Sequence, residues 1–160
     1  MRVKLPHDTT IAQDQGLRLH NLLSRIHYRR DVDKALHFAA RYGIIEEEGK
    51  WNINQIRQLI EKLLSDPVTA PWWADDNTVY TERSILSADS DTRRPDRVVR
   101  RPDGTMIVID FKFGEQQNKY HIQVREYMNR LRLMGHQNVL GYLLYMEPES
   151  NPIVVEVKDL

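Results

Sequence analysis

Apolar residues return every three or four positions through the first third of the chain, then change to short runs and alternation. Leu19, Leu22, Leu23 and Ile26 share one helical face, and Thr10 with Gln13 has the spacing of a capping box ahead of them. A second helix is predicted to start at Asp31, to carry Ala35, Leu36, Phe38, Ala39 and Tyr42, and to stop at Gly43. A third is predicted from a cap at Asn52, with Gln55 three residues on, through Ile56, Leu59, Ile60, Leu63 and Leu64. It ends before Pro67. Pro67, Pro71 and the pair Trp72 and Trp73 then mark an irregular connection.

From Asn77 the period changes. Strands are predicted at Thr78 to Leu86, Pro95 to Arg101 and Thr105 to Phe113, with a polar loop, Ser87 to Thr92, after the first. An amphipathic helix, Asn118 to Met134, closes at Gly135 and is followed by strands at Val139 to Met146 and Ile153 to Val157. This order predicts an α/β fold, a mixed β-sheet of five strands flanked by helices. A mainly helical portion, 1–70, precedes an α/β core, 77–160, and 160 residues suffice for one domain with a real core.

Composition narrows the chemistry. Hydrophobic content of 41% and charged content of 29% are those of an ordinary globular chain, and zero net charge argues against indiscriminate polyanion binding. No cysteine is present, which excludes a disulfide framework, a zinc thiolate and an iron–sulfur cluster. No apolar run approaches the ~20 residues of a membrane span, and MRVKLPHDTT lacks the apolar core of a secretion signal, so a cytoplasmic chain is expected. The segment GIIEEEGKW, 43–51, has the outline of a phosphate loop but one residue too many between its glycines. Trp51 also stands where Ser or Thr is needed, so no ATP site is expected.

The most apolar run, TMIVIDFKFG, ends in an acid and a base two residues apart, Asp110 and Lys112. The preceding Arg101-Pro102-Asp103-Gly104-Thr105 fits a three-residue hairpin loop. If Arg101 faces Thr105, Asp96 falls opposite Asp110, their Cβ atoms about 5 Å apart. Lys112 lies one pleat further on the same face, about 7 Å from Asp110. Two such carboxylates repel each other, and a bound divalent cation removes that penalty. Ile107, Ile109, Phe111 and Phe113 form the opposite, apolar face. The same register sets Arg97 against Ile109 on that face, a conflict that a bulge or a one-residue slip would remove.

Pro95-Asp96 followed by Asp110-Phe111-Lys112 resembles the signature of the PD-(D/E)xK nuclease superfamily, whose fold is restriction-endonuclease-like. More closely, RPDRVVRRPDGTMIVIDFKFG with YHIQVREY resembles its RecB-like branch, the C-terminal nuclease domain of bacterial helicase–nucleases of the exonuclease V beta-subunit type. The resemblance runs from about Arg94 to Tyr145 and reaches back to Gly16-Leu17-Arg18-Leu19-His20. It implies Asp96, Asp110, the Phe111 main-chain carbonyl and His20 as ligands of magnesium or manganese, with Lys112 positioning or activating the attacking water. Gly16, one turn before His20, would clear space for a ligand. Gln123 and Tyr127 match the family's Gln-x-x-x-Tyr element and lie on one helical face with Tyr120 a turn earlier.

Arg93, Arg94, Arg97, Arg100 and Arg101, five arginines in nine residues, are the candidate DNA-binding face. Trp72 and Trp73 are either base-stacking platforms or core residues. The resemblance implies a metal-dependent DNA nuclease in end processing or recombinational repair, acting on single strands or ends, with a helicase motor in cis or in trans. The chain would then be the C-terminal part of a longer helicase–nuclease or a stand-alone relative. A non-catalytic DNA-docking module, an RNA nuclease and a junction resolvase are the alternatives on the same fold.

Overall fold

The run 106–111 is buried on both faces because it forms the middle strand of a sheet covered on each side. A computed structural model describes residues 16, 18–45, 52–81, 94–147 and 150–159. Among them one sheet of five strands runs in the order β1 (Thr78–Thr81), β2 (Arg97–Arg100), β3 (Met106–Lys112), β4 (Val139–Tyr145) and β5 (Ile153–Glu156). β1–β2, β2–β3 and β4–β5 are antiparallel; β3 and β4 are parallel, joined over one face by helix α4 (Asn118–Leu133). The α/β class and the mixed five-stranded sheet are those expected from the sequence.

The other face carries the N-terminal helices: α1, helical at 16 and over 18–24, α2 (Val32–Arg41) and α3 (Ile53–Ser65). Leu19, Leu22 and Leu23 of α1, with Ile26 just after it, pack with apolar positions of α2 and α3 against Val99, Ile107, Ile109 and Phe111. Val124, Met128 and Leu131 of α4 pack on the opposite face against Val98, Met106, Val108 and Leu143. Alternating β3 side chains therefore enter two separate cores. A Cβ on Gly141 would lie 2.4 Å from Met128 Sδ and 2.8 Å from Val124 Cγ1, so α4 rests directly on the β4 backbone there.

The predicted boundaries differ from these by a few residues. Asn52 caps α3 as expected, its side chain accepting from the Gln55 N–H while Gln55 accepts from the Asn52 N–H. Asp31 closes a 3-10 turn, Arg29–Asp31, where its side chain accepts from the Tyr28 N–H, so α2 starts one residue later than expected, at Val32. Trp72 and Trp73, in the turn Ala70–Trp73, are buried in the helical core and unavailable to stack on bases. No described helix is long and apolar enough to cross a membrane. The Thr10–Gln13 capping box, residues 82–86 of the first predicted strand, the 87–92 loop and Arg93 lie outside the described residues.

Candidate active site

The hairpin closes as its sequence requires. The Arg101 N–H donates to the Thr105 carbonyl (2.8 Å), the Gly104 N–H donates to the Arg101 carbonyl (2.9 Å), and Gly104 adopts φ 91°. Asp103 accepts from the Thr105 N–H (2.9 Å). This turn sets Arg97 opposite Ile109 and Val98 opposite Val108, the expected register, with no slip between them.

The ladder stops at that pair, and side chains take over from the backbone. Asp96, one residue before β2, donates its N–H to Asp110 Oδ1 (3.0 Å). Its own Oδ2 accepts from the Phe111 N–H (2.7 Å). Each carboxylate thus serves backbone that the ladder leaves unpaired. His20 Nε2, from α1, is in hydrogen-bond contact with Asp96 Oδ1. The His20 ring stands edge-on to Phe111, centroids 6.2 Å apart. Lys112 Nζ lies 3.3 Å from Asp110 Oδ2. Asp96, Asp110, Lys112 and His20, separated by up to 92 positions in sequence, therefore meet where the sheet's middle strands end.

The electrostatics of this cluster are unequal. Burial, and then the Asp96 charge, push the Asp110 carboxyl up to about 6, against a smaller downward pull from Lys112. Two carboxylates, an imidazole and a peptide oxygen are donors that suit magnesium or manganese. A carboxyl driven upward by burial and then by its acidic neighbour is one whose charge such a cation would stabilise, so the residues fit the metal in kind. Among the described residues, however, no three His, Asp or Glu side chains are arranged around a common centre. His20 and Asp96 are instead paired with each other.

The α4 side supplies further groups. Tyr120 covers Lys112, with Nζ 4.3 Å from the ring centroid. Gln123 has its buried Oε1 without a protein partner. Tyr127 packs against the α4 core; burial raises its phenol pKa, opposed by the charges of Arg130 and Arg94. Gly16 does not clear ligand space: a Cβ there would lie 3.3 Å from the Phe113 ring, so the glycine admits Phe113.

The arginine cluster divides. Arg100 is exposed, Arg94 is partly buried near Tyr127, and Arg101 donates to Asp76 (2.9 Å) and Asn77 (2.6 Å). Arg97 is not a phosphate-facing residue. It is 1% exposed, and its guanidinium donates to the carbonyls of Ile26 (2.7 Å), His27 (2.6 Å) and Trp72 (2.7 Å). Burial brings its pKa down to about 9, which leaves it charged at neutral pH. The register conflict at this position is resolved by burying the charge among carbonyls, with no bulge needed. Arg97 and the Tyr120–Lys112 contact are what the sequence reading missed. The only signal for the first was that conflict; for the second, the helical phase of Tyr120.

No known family profile matches the chain, and no curated protein does. Among solved structures it is similar to Hjc, a Holliday junction resolvase from the archaeal hyperthermophile Archaeoglobus fulgidus. Identity is 13% and the TM-score 0.37, over 63% of this chain and 76% of that one. A likeness of that size leaves the site to be read from its own residues.

Proposed function

We propose that the chain is a divalent-metal-dependent DNA nuclease of the PD-(D/E)xK superfamily. Within it we assign the RecB-like branch, working on single strands or ends beside a helicase motor in cis or in trans. The observation that supports this most is the reciprocal hold of Asp96 and Asp110 on each other's strand, with His20 on one carboxylate and Lys112 on the other. A structural role alone gives little reason to bury Asp110 beside a second acid.

His20, Asp96, Asp110 and the Phe111 carbonyl would hold magnesium or manganese. When bound, the ion supplies a more acidic water and charge stabilisation at the phosphoryl oxygens. Lys112 keeps a fixed positive charge beside Asp110 where negative charge grows on the phosphate, and it needs no proton transfer to do so. Asp96 is oriented by the Phe111 N–H and His20, so its carboxylate is preset before substrate arrives. Gln123 and Tyr127 are the proposed polar groups on the α4 side. Arg94, Arg100 and Arg101 are the proposed phosphate grip, Arg93 belongs with them by sequence, and Arg97 is withdrawn from it.

The test is cleavage of single-stranded DNA, blunt duplex, a four-way junction and RNA with magnesium, manganese or EDTA, beside Asp110→Ala. Metal-dependent cutting of DNA strands or ends, lost in the variant by about 100-fold or more, is expected. Metal-independent cutting, or equal activity in the variant, defeats the mechanism. DNA binding without cleavage in any metal makes the chain a docking module. Preference for RNA or for the junction reassigns the substrate.

A further inference from the structure

Lys112 has two holds in the structure, and only one of them survives the chemistry proposed above. The first is Asp110 Oδ2, at 3.3 Å. The second is the face of Tyr120, at 4.3 Å from the ring centroid, well inside the range in which an ammonium is attracted to an aromatic quadrupole. The Lys112 side chain is 14% exposed, so little water competes for either contact.

The ring itself is firmly placed. Tyr120 sits in the first turn of α4, where its N–H donates to the Gln117 carbonyl (3.1 Å). It packs on the α4 side of the sheet, with its centroid 6.5 Å from that of Tyr145. Tyr145 is the β4 residue directly opposite Lys112, so strand pairing and ring packing fix the same three side chains. Lys119 Nζ also approaches the ring, at 5.5 Å, but Lys119 is exposed and Lys112 is the closer cation.

Asp110 has two oxygens and, once it ligates a cation, cannot give Lys112 the same attraction: the ion takes its charge and repels the ammonium. A lysine held only by Asp110 would then be released on a flexible stem into many rotamers. We infer that Tyr120 is a positioning residue, whose ring keeps the Lys112 ammonium at the site when Asp110 turns to the metal. This rests on the nuclease reading. Tyr120 touches neither substrate nor metal in this account, and its hydroxyl has no part in it.

The experiment combines kinetics with a contact readout that needs no activity. Side-chain NMR of the metal-free protein is expected to show Lys112 Hε resonances moved upfield by the Tyr120 ring, and to keep them upfield when magnesium saturates the site. Tyr120→Phe retains both the shift and kcat. Tyr120→Leu, which keeps the bulk and loses the ring face, loses the shift and lowers kcat about tenfold, with KM for single-stranded DNA within about twofold. Three results overturn the inference: a Lys112 shift that collapses on adding magnesium, a Tyr120→Phe variant as slow as Tyr120→Leu, or wild-type kcat in a folded Tyr120→Leu. The magnesium titration uses the unaltered chain, so it decides even if Tyr120→Leu does not fold. Absence of cleavage by the wild type overturns the nuclease reading instead, and the role assigned to Tyr120 falls with it.

Discussion

At the scale of single residues, Asp110 carries an electrostatic cost at the candidate site itself. Its carboxyl sits at about 6 in the fold, against 3.8 ordinarily. Below about pH 4 it is protonated folded and unfolded alike and costs nothing. Between about 4 and 6 the folded chain holds the proton more tightly, so metal-free stability falls as pH rises. Above 6 the whole penalty is present, on the order of 2–3 kcal/mol. Asp110→Asn removes it, so the variant should gain on metal-free wild type as pH goes from 4.5 to 7, read as urea midpoints. A constant difference between the two across that range would show that the carboxyl is not strained. His20 calls for a different measurement. If it completes a cation's shell, His20→Ala weakens manganese binding about tenfold or more by calorimetry, and unchanged affinity would leave His20 as a partner of Asp96 alone. The meeting of Asp96, Asp110 and Lys112 could be foreseen because a hairpin loop of defined length counts residues across two strands. That count does not give the direct bonds of Asp96 to the Phe111 N–H and to His20, since both form beyond the end of the ladder; only the family resemblance put His20 beside Asp96.

Among elements, β3 and α4 decide how well the site is held. The ends of α4 were legible to within a residue, and the Asn52–Gln55 box of α3 fully so, because both rest on local chemistry. The seat of α4 on β4 was not. A glycine inside a strand pattern announces that something comes close, but not what. Here it is Met128 and Val124. Gly141→Ala therefore forces α4 outward or Met128 out of its rotamer, and should cost about 1–3 kcal/mol. Because α4 carries Tyr120, Gln123 and Tyr127, the same change should lower cleavage more than it weakens DNA binding. Denaturant unfolding checks the first part; a stability loss below 0.5 kcal/mol, the range typical of surface substitutions, would mean that the helix can shift freely and holds nothing in place.

For the molecule as a whole, the sheet separates two cores, and both layers contribute to the candidate site at its end. α1 brings His20 from one side, and α4 brings Tyr120 over Lys112 from the other. Arg97 ties the first layer down: its guanidinium gathers the Ile26 and His27 carbonyls just beyond α1 and the Trp72 carbonyl onto β2, one residue from Asp96. Periodicity alone gives an arginine to solvent, and five arginines in nine residues look like a single phosphate-binding face. Only the tertiary fold shows three carbonyls waiting for one of them. The two kinds of arginine should separate in experiment. Arg97→Met leaves those carbonyls without a donor and should destabilise the chain by about 3 kcal/mol, at roughly 1 kcal/mol for each lost bond. Arg97→Lys keeps the charge but not the fork, and should recover part of that loss. Arg100→Ala, on an exposed position, should leave stability within about 0.5 kcal/mol. It should weaken DNA binding and reduce the salt dependence of affinity by about one phosphate contact. If Arg97→Met instead kept full stability and lost DNA affinity with a shallower salt slope, Arg97 would belong to the DNA face after all, and apolar packing with the His20–Asp96 contact would suffice to hold α1 at the site.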